Sequence, residues 1–377
     1  MEVHAVNMKD TILNSVQETL LMGPGPSCVP PEVYRALSLP TIGHLDPLFI
    51  EIMDEIQGRL RRIMNTKNRL TLPISGTGSA GMETCFVNLV EPGDDVLVLI
   101  NGVFGKRMED VAGRLGAMVD AIEFDWGAPV DVAQVRERLS KKDYRIVAVV
   151  HAETSTGVAN PVAKIGALVR ETDALYLVDT VTSLGGMPVE ADDWGVDAVY
   201  SGTQKCLSCP PGLAPVSFSE RAVEKTMQRK TKVPNWYLDL SMIVNYWEGK
   251  KRAYHHTAPV NMLYGLHQAL GLILDEGPEN VFGRHMDCHA LLVETLGDMG
   301  IAMFVDPDCR LPMLNAVVIP EGVDEAAVRS RLLTDYRIEI GAGLGPLAGK
   351  IWRIGVMGHT ARPENITRLA SALSDVL

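Results

Sequence analysis

From Leu70 to Phe218 the chain alternates short apolar runs with amphipathic stretches, and that alternation restricts the fold more than any other feature. The runs Leu70–Ile74, Val96–Ile100, Val119–Phe124, Ile146–Val150, Leu175–Val178, Ala198–Tyr200 and Ala214–Phe218 have the length of strands. Between most of them lie helical patterns, among them Met82–Leu89, Val132–Leu139 and Val162–Arg170. Strand–helix alternation of this length predicts an α/β fold: a mostly parallel sheet covered by helices on both faces. Upstream, Ile50, Met53, Ile56, Leu60 and Ile63 repeat at helical spacing. From about residue 265 the pattern turns to long helices, with strands near 313–319 and 351–355 and a last helix from Pro363. A chain of 377 residues is too long for one small core. The expected organisation is an N-terminal arm (1–21), a large domain (22–264) and a smaller C-terminal α+β domain (265–377).

The net charge of −12 argues against nucleic-acid or anionic-membrane partners, either of which needs a basic face. No apolar run reaches the length of a membrane span. Glu2, Lys9 and Asp10 interrupt the stretch where a secretory signal would be apolar, so a cytoplasmic enzyme is expected. The six cysteines lack the density of a disulfide scaffold. Cys206 and Cys209 match C-x-x-C, but no second ligand pair lies nearby and Pro210-Pro211-Gly212 follows. Neither a redox nor a metal role is assigned to them. His285 and His289, four apart on a helical pattern, read as a solvated face rather than a metal site.

In an open parallel sheet, ligands bind beyond the carboxyl ends of the strands. After the first strand comes Ser75-Gly76-Thr77-Gly78-Ser79-Ala80-Gly81, whose glycines spell G-x-G-x-x-G. A dinucleotide site also needs an acidic residue at the end of the next strand, and Val96–Ile100 ends in Asn101-Gly102. What remains is a small-residue turn at a helix N-terminus, with the N–H groups and the Thr77 and Ser79 hydroxyls suited to a single phosphate.

Two further strands end in reactive groups. Leu175–Val178 runs into Asp179, and Ala198–Tyr200 into Ser201-Gly202-Thr203-Gln204-Lys205. A carboxylate at the end of a central strand needs a partner to offset its desolvation. A buried lysine loses its proton readily and becomes a Schiff-base nucleophile. Pyridoxal phosphate requires such a lysine, a carboxylate for its ring nitrogen and a phosphate cradle. Lys205, Asp179 and the 77–79 turn would supply all three, each at a strand's carboxyl end. Singly, each has an ordinary structural use; together they point to that cofactor.

These segments occur in order with Met22-Gly23-Pro24-Gly25-Pro26-Ser27, Ser183-Leu184-Gly185-Gly186, Tyr254-His255-His256-Thr257 and Arg353-Ile354-Gly355. From about residue 20 to the end, the chain resembles the alanine–glyoxylate and serine–pyruvate aminotransferases, which are class V enzymes of the fold-type-I pyridoxal-phosphate group. The resemblance implies that Phe104 stacks on the cofactor ring, where many relatives have Trp, and that Val181 packs on its other face. It implies that Thr154 lies near the ring oxygen and the substrate carboxylate, that Gln204 neighbours the phosphate, and that Gly25 and His44 line the substrate side. Arg353 would bind the α-carboxylate with two parallel hydrogen bonds. Tyr254 and Thr257 would reach the phosphate of the partner subunit, which implies a homodimer with shared sites.

The activity so implied is ping-pong transamination, from alanine or serine to glyoxylate or pyruvate, with the freed Lys205 acting as base and then acid between Cα and C4′. A class V lyase would share Lys205 and Asp179 and is a further alternative; a desulfurase would also need a nucleophilic cysteine on a mobile loop, and Cys309 instead precedes Arg310-Leu311-Pro312. Pyridoxamine, ureidoglycine or an aminophosphonate remain alternative amines. Ureidoglycine enzymes are expected to carry Gln and Asn where this chain has His44 and Tyr254.

Overall fold

The computed structural model describes residues 12–249 and 252–377. Residues 1–11 of the expected arm lie outside the described residues. The central sheet has seven strands: β1 (Leu70–Ser75), β2 (Asp95–Ile100), β3 (Met118–Glu123), β4 (Ile146–Val150), β5 (Leu175–Asp179), β6 (Ala198–Tyr200) and β7 (Leu213–Phe218). Their order across the sheet is β1-β7-β6-β5-β4-β2-β3. β7 runs antiparallel to both its neighbours, and all other adjacent pairs are parallel. The architecture is thus the expected α/β sheet with one reversed strand. Every residue of β4 and β5 is buried, as an apolar strand in the middle of a doubly covered sheet must be. In the edge strand β3 only Ile122 is buried.

Helices pack on this sheet through short caps and apolar stripes. α1 (Pro47–Ile63) starts at a proline, and the Asp46 side chain accepts a hydrogen bond from Leu48 N at 2.9 Å. It buries Phe49, Met53, Ile56, Leu60 and Ile63. Phe49, edge-on to Tyr264 with ring centroids 6.5 Å apart, takes the inward place expected of Ile50. α2 (Gly78–Leu89) follows the glycine turn after β1, and α3 (Val103–Arg114) follows Asn101-Gly102 after β2.

α4 (Val260–Glu276) and α5 (Pro278–Asp298) lead into a three-stranded antiparallel sheet of β8 (Leu314–Val318), β9 (Gly341–Ala342) and β10 (Ile351–Gly355), ordered β8-β10-β9. A last helix, α6 (Pro363–Val376), covers it. The division expected at 264/265 falls inside α4, whose buried face down to Ile273 joins the large core, as does Val281. Cys288, Leu292 and Leu296 of α5 belong to a second core, together with Leu20 and Met22. We therefore propose a boundary within α5, with residues 20–22 built into the smaller unit. Leu20–Leu21 pairs in parallel with Ile338–Glu339, and Met22 O accepts from Gly355 N at 2.7 Å.

The histidines of α5 do not form a solvated face. His285 is fully buried on the Val281–Cys288–Leu292 stripe, and His289 is partly buried against Asn315, with Nδ1 2.6 Å from Oδ1. Among the described residues no group of three or more His, Cys, Asp or Glu could hold a metal ion. No helix among them is long and apolar enough to cross a membrane.

Candidate active site

Asp179 is the last residue of β5, and its carboxylate is fixed on both sides. Oδ1 accepts from Val181 N at 2.7 Å and Oδ2 from the Tyr200 hydroxyl at 2.6 Å. Tyr200 stands opposite Asp179 in the β5–β6 register, so strand pairing itself delivers the donor. Burial pushes the Asp179 carboxyl from its ordinary 3.8 up to about 6, against the Tyr200 and Val181 hydrogen bonds and the charges of Lys205 and Arg107. Tyr200 carries no assignment from sequence, because its partner lies on another strand.

Lys205 lies in the turn after β6 and is 8% exposed. Its main chain is gripped by the N-terminal segment: Ser27 Oγ donates to Lys205 O at 2.6 Å, and Ser27 N to Gln204 O at 2.9 Å. The amine donates to Pro24 O. Desolvation, then the Arg353 charge, lowers the amine from 10.5 to about 8, so a substantial neutral fraction exists near neutral pH. Gly25 is next to it at φ +103, and a Cβ there would stand 2.5 Å from Nζ. Only glycine satisfies both the left-handed backbone and that approach.

Arg353 projects from β10 and is buried. Its Nε donates to Ala342 O at 2.8 Å and Nη1 to Thr154 O at 3.3 Å, while Nη2 has no protein partner among the described residues. Burial lowers its guanidinium to about 10, against the Glu153 charge. Thr154 Oγ1 lies 2.5 Å from Thr182 Oγ1. The guanidinium acts on the lysine through its charge and keeps hydrogen-bonding capacity to spare.

The anion cradle is made at the start of α2. Thr77 is its N-cap with no side-chain cap hydrogen bond, and Thr77 and Ser79 are exposed while Gly78 is buried. A Cβ on Gly78 would lie 3.4 Å from Val181 Cγ2 and 3.6 Å from Gly202 Cα, so three segments meet there. Gln204 Oε1 is buried without a partner. Exchanging the two amide atoms presents an N–H₂ donor instead, as an anion in the cradle would require. Free helix N–H groups, two hydroxyls and an uncommitted amide suit a phosphate. The residues present thus fit pyridoxal phosphate: Lys205 for its aldehyde, Asp179 for its ring nitrogen, the 77–79 turn for its phosphate.

Phe104 lies in the first turn of α3, with the Arg107 guanidinium 5.0 Å from its ring centroid. Since Arg107 also acts on Asp179, this turn borders the site. Asn101, where a dinucleotide enzyme needs an acid, donates instead to Ala128 O and Asn160 Oδ1. Tyr254, His44 and Thr257 group elsewhere. The Tyr254 hydroxyl is 3.4 Å from Thr257 Oγ1, its ring centroid 5.3 Å from that of His44, and it is 63% exposed. Neighbouring His256 Nε2 lies 2.7 Å from Ser75 Oγ, which ties this segment to the glycine turn. Cys206 donates to Thr182 O, Cys209 packs towards Gly265, and Cys309 is buried against Asp306 O.

Residues 31–361 match the family model Aminotransferase class-V. The chain is 41% identical over 366 residues to the alanine–glyoxylate aminotransferase of Rattus norvegicus, covering 96% of this chain and 88% of that one. It is likewise 41% identical over 375 residues to the (S)-ureidoglycine–glyoxylate transaminase of Bacillus subtilis, covering 95% and 90%. The crystal structure of an alanine–glyoxylate aminotransferase from Nostoc sp. superposes with a TM-score of 0.95 at 48% identity, over 98% of each chain. The buried lysine, the strand-end carboxylate and the glycine turn described above thus sit in a chain that belongs to the class V aminotransferases, a pyridoxal-phosphate-dependent family of transaminases.

Proposed function

We propose that this transaminase moves the amino group of alanine or serine to glyoxylate or pyruvate by a ping-pong mechanism, as a cytoplasmic homodimer with shared sites. The observation that carries the substrate reading is Arg353, which keeps Nη2 free beside Lys205. A guanidinium so disposed takes an α-carboxylate through two parallel hydrogen bonds and fixes Cα relative to the amine. Gly25 and Pro24 close the space above Nζ, which favours small side chains.

When bound, pyridoxal phosphate supplies an aldehyde and an electron sink. Lys205 would hold the cofactor's aldehyde carbon and, as a free amine, would serve as base and then acid between the substrate Cα and C4′. An amine held near 8 suits both directions at neutral pH. Asp179, steadied by Tyr200 and Val181, would keep the ring nitrogen protonated, and Thr77, Gly78, Ser79 and Gln204 would hold the phosphate. Phe104 and Val181 would flank the ring, and Thr154 would lie towards the carboxylate. Tyr254 and Thr257 serve the partner's phosphate, with His44 beside them.

Ureidoglycine is the second donor to consider, because a relative named for it is as similar to this chain as one named for alanine. His44 and Tyr254, where Gln and Asn are expected for that donor, favour alanine or serine. A panel of alanine, serine, aspartate, ureidoglycine and pyridoxamine, each with glyoxylate and with pyruvate, decides by identification of the oxo-acid product. Alanine or serine with glyoxylate is expected to give the highest kcat/KM. Aspartate or ureidoglycine as the best donor would remove the substrate assignment and leave transaminase.

A further inference from the structure

Glu153 is a fully buried carboxylate with no ion pair among the described residues, and the site described above gives it no task. Such a group persists only where donors compensate its desolvation. Here the donors converge from two directions. Oε1 accepts from Ser155 N at 3.1 Å and from Ser155 Oγ at 2.5 Å, and Oε2 accepts from Gly105 N at 3.4 Å. Ser155 Oγ in turn accepts from Val103 N at 2.9 Å.

Val103 and Gly105 are the first and third residues of α3, whose opening N–H groups have no partner within the helix. The residue before them, Gly102, has no side chain with which to cap. A Cβ at Gly102 would run into Glu153 Cγ and Cδ and Ser155 Oγ, so glycine is required by the carboxylate's own position. Glu153 thus caps α3 from another segment, directly at Gly105 and through Ser155 at Val103. Between those two pinned amides lies Phe104. Immediately after Glu153 lies Thr154, whose carbonyl accepts from Arg353 Nη1 and whose hydroxyl meets Thr182. One turn therefore anchors the ring-stacking side chain and the carboxylate-binding arginine. Burial, together with nearby Asp179, raises the Glu153 carboxyl to about 7, against the hydrogen bonds from Ser155 and Gly105.

We propose that Glu153, with Ser155 as its relay, is the positioning residue that sets the Phe104 ring against the cofactor and holds it in register with Arg353. The proposal rests on the reading of Phe104 as the stacking residue. The test uses holoenzyme carrying Glu153→Gln, Phe104→Leu or both, with visible circular dichroism of the bound cofactor, its Kd, and kcat and KM as readouts. Phe104→Leu and Glu153→Gln are each expected to weaken the visible band and to raise Kd about tenfold, with kcat falling more than KM rises. The double variant should be no worse than the poorer single one, because both changes remove the same interaction. Ser155→Ala, which keeps the carboxylate but cuts the relay to Val103, is expected to raise Kd about threefold and serves if Glu153→Gln does not fold. If Phe104→Leu alters the band while Glu153→Gln and Ser155→Ala do not, the proposal is overturned and stacking stands. Additive losses in the double variant also overturn it. A silent Phe104→Leu removes the stacking reading and this proposal with it.

Discussion

Asp179, proposed above as the partner of the ring nitrogen, also carries a cost of burial. Its carboxyl rises from 3.8 to about 6 in the folded protein, so between those values the folded chain binds more protons than the unfolded one. The stability this contributes is fully present below about pH 4 and is lost as pH rises through 6; at pH 8 the penalty is about 3 kcal/mol. Cofactor-free Asp179→Asn should therefore melt above the unmutated apoenzyme at pH 8, with the gap closing towards pH 4, while transamination is lost. A lower melting point for Asp179→Asn at pH 8 would show that the charge is not a burden there. The places of Asp179 and Lys205 at the edge of the sheet were legible in the sequence because each follows its own strand. Tyr200 and Glu153 were not. Their partners lie in other segments, and a sequence records neither strand register nor the depth of a turn.

Helix α5 carries a comparable lesson one level up. His285 Nδ1 lies 2.7 Å from Val281 O and must donate to it, so Nε2 accepts from Gly358 N at 2.8 Å. Burial lowers this imidazole to about 4, which keeps it neutral in that tautomer. Gly358 packs so tightly on the lysine turn that a Cβ there would meet Ser208 Oγ and Cys206 O, and His359 N donates to Ser208 Oγ at 2.7 Å. His285→Leu leaves the Gly358 N–H buried and unpaired. It should cost about 2 kcal/mol in urea unfolding of the apoenzyme at pH 7. An unchanged midpoint would show that the loop finds another acceptor. The signal for this role was present in the sequence, since His285 is in phase with Val281, Cys288 and Leu292. Periodicity names the buried stripe, but not the loop that closes over it. The strands of the central sheet were easier to read, because continuous apolar runs have few alternatives.

For the whole molecule, the surface group of Tyr254, Thr257 and His44 matters most. Trp236 is 59% exposed and Tyr237 40%, and both rings lie against the adjacent His255. An aromatic patch of this kind on one chain supports the shared-site homodimer. If Lys205 acts in one subunit with Tyr254 and Thr257 of the other, complementation follows. Homodimers of Lys205→Ala should be inactive, and a Tyr254→Phe, Thr257→Ala double variant should bind the cofactor poorly. Exchanged dimers with one chain of each contain one intact site, so activity should rise with the heterodimer fraction. No recovery in dimers verified by mass would refute sharing. A single chain's sequence could hold this relation only as resemblance, since no pattern within it says which subunit a tyrosine serves.

The pairing of Leu20–Leu21 with Ile338–Glu339, and of Met22 with Gly355, also bears on the order in which the enzyme is born. Ser27, which grips the lysine turn, follows a segment whose partners leave the ribosome only after the whole central sheet. A nascent chain can complete its large sheet early, yet the segment leading into Ser27 lacks its partners until β10 has emerged. Translation that stops short of β10 therefore yields a sheet with Asp179 and Lys205 present but residues 20–22 unpaired. Capture of the cofactor in the finished geometry then becomes a mark of a chain read past β10.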